Sequence, residues 1–297
     1  MMRKKTLLFL FLILAAAISS AFPQDEEDTT QVDREFWKDH TFKFDLFQDN
    51  FKGQPTVTFM YGFSSLGLKN LPESPSKPNL LEFKIGYSGE KETDENENII
   101  YYKYRFGYLT YSATKLSGKN SSNDFKDEMW RFGLGRAFGY GYKIGSISVI
   151  PYHAYSVDWS RLAFTNMPAD SLEQKLLSPF SNTFRFGTST EGGIKLKLLP
   201  ELTIDGAYER SMIFPRHLFW KWAGSVIIEA GGQIALDNFI EEILDSSPYA
   251  APVMSFILKN ALSYGMYELR RSKMNWPFST VAPFTHDQFK MGVTLTF

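Results

Sequence analysis

The chain contains no cysteine. Disulfides, thiolate metal sites and a lipid-attachment cysteine are therefore all excluded. Histidine is almost as scarce, with four in 297 residues, and His40, His153, His217 and His286 are scattered along the chain. No Gly-x-Ser-x-Gly elbow and no His-Glu-x-x-His zinc motif accompany them. Past the first twenty or so residues no apolar run approaches the ~20 needed for a membrane-spanning helix. Charge of one sign is lacking as well: the formal net charge is −1, which gives no purchase for nucleic acid. Nothing in the sequence implies a cofactor or a metal.

What is present begins with an export signal. Arg3, Lys4 and Lys5 form a basic end, Thr6 to Ile18 an apolar stretch, and Ser19 and Ala21 are small residues placed for cleavage before Phe22. We read 1–21 as a signal peptide and 22–40 as an acidic, solvated segment containing Asp25-Glu26-Glu27-Asp28. Cleavage removes three basic charges and takes the net charge from −1 to −4. An exported chain without disulfides suits a closed sheet.

The remainder, 41–297, alternates. Val57, Phe59, Tyr61 and Phe63 oppose Thr58, Met60 and Gly62; Leu81, Phe83, Ile85 and Tyr87 oppose Glu82, Lys84, Gly86 and Ser88. Trp130, Phe132, Leu134, Phe138, Tyr140 and Tyr142 oppose Arg131, Ala137 and four glycines, with Arg136 interrupting the bulky face. Successive side chains of a strand point to opposite faces, so each run has an apolar and a polar or small face. Ile100, Tyr102, Tyr104, Phe106 and Tyr108 oppose Lys103 and Arg105, and the same rule sends the aromatics outward and the cations inward. Two further runs, 184–198 and 202–209, alternate likewise. Phe42, Phe44 and Leu46 mark one more short candidate strand, and the parity of 147–159 is blurred by Pro151 and His153.

The last run, Phe289, Met291, Val293, Leu295 and Phe297 against Lys290, Gly292, Thr294 and Thr296, ends on an aromatic residue. It resembles the C-terminal targeting strand of bacterial outer-membrane β-barrels. That resemblance implies an all-β, antiparallel transmembrane β-barrel in the outer membrane of a Gram-negative-type bacterium. It also implies contact with outer-membrane lipid, and recognition by the barrel-assembly machinery through this strand. Tight connections at 143–146 and 199–201 and long ones at 116–128 and 162–182 match short periplasmic turns and long outer loops.

Between about 226 and 271 the period changes to helical. Ile228, Gly232, Leu236, Phe239, Ile243 and Leu244 make one stripe, and a second run follows Pro252. This reads as a helical hairpin inserted before the last strand, either a plug that buries its own apolar face or a surface that docks on lipid or a partner. Eight strands would put its connection on the outer side. We expect about 8–12 strands and favour ten, the extra two near 218–228 and 274–284, which moves the hairpin to the periplasm and to a periplasmic partner there.

The inward parity gathers Glu82, Lys84, Lys103, Arg105, Arg131, Arg185, Glu191, Lys195, Asp205, Glu209 and Lys290. These should form a stiffening polar network in a narrow lumen; an anion-selective pore is the alternative. Trp220, Trp222 and Trp276, mixed with cations, fit a membrane-interface girdle. Three functions follow: a non-enzymatic barrel in a structural, lipid-contacting or small-solute role; a barrel-embedded lipid-modifying enzyme using His153 or His217; or a soluble exported barrel holding a hydrophobic ligand. Ser156 and Asp158 stand near His153 in the sequence, but strand parity turns them to the opposite face.

Overall fold

The computed structural model describes residues 53–69, 78–113, 127–164 and 171–297. The signal peptide, the acidic segment and the short strand expected at Phe42–Leu46 lie outside the described residues. Eight antiparallel strands, each paired with its sequence neighbours, close into a barrel. They are β1 (Gln54–Leu68), β2 (Asn79–Glu92), β3 (Ile99–Ala113), β4 (Asp127–Ile144), β5 (Ile147–Phe164), β6 (Phe184–Leu199), β7 (Leu202–Ile213) and β8 (Phe284–Thr296). β8 closes the ring by pairing with both β1 and β7, Val293 standing opposite Phe59 on one side and Ile204 on the other. A closed ring leaves no edge with unpaired backbone groups.

The expected count of about ten strands is corrected to eight. The stretch near 218–228 belongs to a helix instead, and 274–283 is turns and coil before β8 begins. Their poor alternation already weakened them as strands. At one end the turns are tight: Gly145-Ser146 joins β4 to β5 and Pro200-Glu201 joins β6 to β7. Gly145 takes φ of +63°, a left-handed conformation that favours glycine. At the other end the long connection between β5 and β6 carries helix α1 (Ser171–Leu177). There Leu66, Leu162, Leu177, Phe180, Ile213 and Phe284 pack into an apolar cluster across the barrel mouth.

Two more helices, α2 (Phe219–Ser246) and α3 (Ala251–Arg270), fill the connection between β7 and β8. Pro248, which has no N–H to donate, follows the end of α2, and Pro252 sits in the first turn of α3, where that lack costs nothing. They leave the barrel at its long-loop end, as eight strands require. They are not a plug: α3 packs on β4, β5 and β6 from outside. The Tyr142 hydroxyl donates to the Tyr249 carbonyl at 2.7 Å, so the turn between α2 and α3 reaches the last residues of β4, at the tight-turn end. Rising ~1.5 Å per residue, 28 residues of α2 cover roughly 42 Å, enough to follow the wall from end to end.

The expectation that the helices bury an apolar face is corrected for α3, while α2 does bury Ile240 and Leu244 of its expected apolar side. Ser255, Lys259, Ser263 and Tyr267, four residues apart on one face of α3, are buried, while Val253, Ile257, Tyr264 and Leu269 are exposed.

Candidate functional site

Eight of the eleven expected network residues meet inside the barrel. Lys290, brought inward by β8 and fully buried, lies 2.7 Å from Glu82 and 2.7 Å from Glu191, and also binds Glu209. Lys84 pairs with Glu191 at 2.9 Å, Arg131 with Glu209 at 2.5 Å, and Lys195 with Asp205. Neutral groups complete the carboxylates' hydrogen bonding. Thr110 donates to Glu82 at 2.9 Å, Gln288 to Glu209 at 3.2 Å and Tyr152 to Glu191 at 2.8 Å. These eight set four carboxylates against four cations, and Asp158 of β5 is a fifth carboxylate buried in the same core, near Arg131.

The other three expected members stand elsewhere. Arg185 keeps the inward parity but sits near the long-loop end, donating to the Pro179 carbonyl at 2.6 Å. Lys103 and Arg105 are on the outer face, because β3 is turned the opposite way from the expectation. Tyr102, Tyr104, Phe106 and Tyr108 point inward and are buried. Their ring faces receive the core's cations: Lys84 lies 4.7 Å from the Phe106 centroid, Arg131 5.2 Å from Tyr108 and Lys195 5.8 Å from Tyr104. The signal for this inversion was on the neighbouring strand. Gly133 and Gly135 of β4 stand opposite Tyr108 and Phe106, and a Cβ at either would lie within 2.8 Å of those rings. Glycines on an inner face mark where a neighbour's bulk leans across.

With Lys103, Arg105 and Arg185 out of the core, the positive excess behind an anion-selective pore disappears. A cavity of about 10 Å³, bordered by Glu82, Lys84, Glu191 and Glu209, has room for one water molecule. Glu82, Glu191 and Glu209 lie close enough to share a metal ion, but Lys290 already bonds all three.

The histidines separate. His286 is buried in the core beside Gln288. His217 is exposed and stacks among Phe186, Phe219 and Trp222 in the connection before α2. Trp220 is exposed, while Trp222 and Trp276 are partly covered in the same long connection. His153 points outward from β5, away from inward-facing Ser156 and Asp158 as parity requires. It is nevertheless buried, because α3 lies over it. Covering of both faces also explains why residues 150–154 gave no readable pattern: all five are buried.

Above His153, Asn260 and Ser263 of α3 approach its two ring nitrogens, at 3.1 Å from Nδ1 and 3.4 Å from Nε2. Gly192 on β6 makes the approach possible, since a Cβ there would lie 2.5 Å from Asn260 Oδ1. Around this point α3 is held by polar contacts: Lys259 to Asp237 of α2, Arg270 to Glu229 of α2 at 2.5 Å, and Tyr267 to Asp287 of β8 at 2.7 Å. Nothing in the sequence pairs Ser263 or Asn260 with His153, more than a hundred residues away; only the outward parity of His153 hinted at an external partner.

Phe289, Met291, Val293, Leu295 and Phe297, the residues of the expected targeting strand, all expose their side chains on the outer wall. So do Phe59, Phe63, Ile85, Phe132 and Ile194. The class defined by this fold is a small closed β-barrel with an apolar outside and an ionic, filled inside. No family model matches the chain, and no curated protein does. Solved structures similar to it include Neisserial surface protein A, at 11% identity and a TM-score of 0.41 over 82% of this chain and 97% of that one. The attachment invasion locus protein Ail of Yersinia pestis is similar at 8% identity and 0.35 over 83% and 100%. The outer membrane enzyme PagL is similar at 9% and 0.34 over 82% and 99%. Likenesses this distant leave the functional reading to the chain's own geometry.

Proposed function

We propose that the chain is an integral outer-membrane β-barrel of sealed type, serving a structural, lipid-contacting role rather than passage of a solute. One observation carries this: wall and α3 are both inside out relative to a water-soluble protein. Phe63 is 58% exposed while Lys290 and Arg131 are 0% exposed, an inversion that lipid stabilises and water does not. Among the described residues no helix is long and apolar enough to cross a membrane by itself. α2 and α3 lie along the wall instead, with Glu229 and Asp237 paired to Arg270 and Lys259.

A sealed core weighs against small-solute passage, since the ions occupy the lumen and the apolar cluster crosses the mouth. It weighs equally against a soluble barrel with a hydrophobic ligand inside, which needs an apolar cavity of a few hundred Å³. In this reading the tight turns face the periplasm, the C-terminal strand is offered to the assembly machinery, and Tyr249, exposed between α2 and α3, is presented to a periplasmic partner.

The absence of cysteine makes the test direct. Single-cysteine spin labels at Phe132, Ile257 and Leu295 in vesicles should collide with oxygen and not with a polar nickel complex, and the protein should resist carbonate extraction. Release by carbonate, or polar-quencher access at Phe132 and Leu295, would overturn the reading.

A further inference from the structure

We infer that Ser263, His153 and Asn260 form an acyl-transfer centre on the outer wall, set to cleave carboxylic esters carried by membrane lipids. The inference goes beyond the proposed structural role and rests on hydrogen-bond logic. Asn260 Nδ2 donates to the Phe256 carbonyl at 2.8 Å, which fixes Oδ1 as the atom facing His153 at 3.1 Å. An amide oxygen only accepts, so His153 Nδ1 carries the proton. Nε2 is then a lone pair, and it faces the Ser263 hydroxyl at 3.4 Å. That distance is long, as resting nucleophile–base pairs often are. Gln233 Nε2 donates to the same Ser263 oxygen at 3.1 Å, so that oxygen accepts from the amide while its own proton is left to face His153 Nε2.

A nucleophile, a base facing it and an orienting group behind the base are the core of a serine acyl-transfer site. Its position favours a lipid substrate. His153 and Ser263 are each 3% exposed, because they lie between α3 and the outer wall. Beside them the outward side chains of Tyr155 on β5 and Ile194 on β6, next on the same face to His153 and to its neighbour Gly192, are exposed, so the adjoining wall is open.

In the reaction, Ser263 Oγ bonds to the ester carbonyl carbon while its proton passes to His153 Nε2. The carbonyl C–O bond to the alcohol then breaks, and that alcohol oxygen takes the proton back from His153. Water, or a second lipid's hydroxyl, attacks the acyl-Ser263 ester with His153 again as base, which regenerates the serine. Asn260 is a positioning residue.

The test uses the full chain folded in phospholipid micelles, treated with a fluorophosphonate and separately with phospholipid bearing a labelled acyl chain. Expected is covalent fluorophosphonate on Ser263 by peptide mapping, and release of labelled fatty acid. Ser263→Ala should abolish both, and His153→Gln should slow both on the order of 10²–10⁴-fold. Asn260→Asp should keep turnover and shift its pH profile, a change a merely structural role would not produce. Heat-modifiable gel mobility controls for folding, and the mapping on the unmutated chain stands even where a variant does not fold. A folded, lipid-embedded chain that leaves Ser263 unlabelled and acyl chains intact would overturn this inference while leaving the barrel's proposed role in place.

Discussion

Replacing Lys290 by methionine is the sharpest probe of the ionic core. Methionine has a similar length and no charge. The substitution leaves Glu82, Glu191 and Glu209, whose oxygens lie within 4.8 Å of one another, with only Lys84 and Arg131 to compensate them. One carboxylate in a site closed to water is then uncompensated. Removing one partner from a buried ionic set costs about 3–5 kcal/mol. At about 1.4 kcal/mol per factor of ten, that is roughly two to three and a half decades in the folding equilibrium. The measurement is urea unfolding in phospholipid vesicles, followed by tryptophan emission and by heat-modifiable mobility. Adding Glu209→Gln to Lys290→Met removes the uncompensated charge and should restore most of the loss, so the two changes are strongly non-additive. A loss for Lys290→Met below ~1 kcal/mol, or simple additivity in the double variant, would refute the claim that paired charge holds this core.

Three other outcomes are expected. Phe106→Ala should cost about 3–5 kcal/mol in the same assay, because the ring fills the space over Gly135; a loss under ~1 kcal/mol would mean that β3 turns its aromatics to lipid after all. Gly192→Ala should push Asn260 off the wall at about 1–3 kcal/mol, read as faster amide exchange in α3 with the strands unchanged; equal exchange in both would count against close docking there. Tyr267→Phe leaves Asp287 without the hydroxyl that binds it at 2.7 Å and should speed exchange at the C-terminal end of α3, by about 1–3 kcal/mol of local stability; an unaltered rate would show that the contact does not hold the helix.

Much of the barrel was legible because parity is a two-state signal and most strands carry it cleanly. β1, β2, β4, β6, β7 and β8 each pair a bulky face with a small or charged one, and the structure turns the bulky face outward in all six. β3 failed for a physical reason. It bears aromatics on one face and cations on the other, so hydrophobicity alone sends the wrong side outward. The rings are inward because β4 is glycine-lined there and because β2, β4 and β6 deliver Lys84, Arg131 and Lys195, which need ring faces and carboxylates around them. That requirement lies between strands and cannot be read within one of them.

The helices were legible as helices, but not by their orientation. Ser255, Lys259, Ser263 and Tyr267 recur every four residues as clearly as any apolar stripe, and a helix in water would expose them. A helix against a membrane barrel has the opposite choice: its outer side meets acyl chains, and its polar groups find partners only against the wall. The wall supplies two of them, His153 of β5 beside Ser263 and Asp287 of β8 bonded to Tyr267, while Asp237 of α2 pairs with Lys259. Lys103, Arg105 and Arg136 also lie on outer faces, those of β3 and β4. A mid-bilayer arginine on a bare barrel costs about 2–4 kcal/mol, and Arg136 stands mid-strand in an unbroken register opposite Arg105. The outward cations of the wall and the polar stripe of α3 thus break the same rule, that polar groups avoid the lipid side. Each would be unfavourable in lipid alone, and docking the helices on this side of the barrel shelters polar groups on both surfaces.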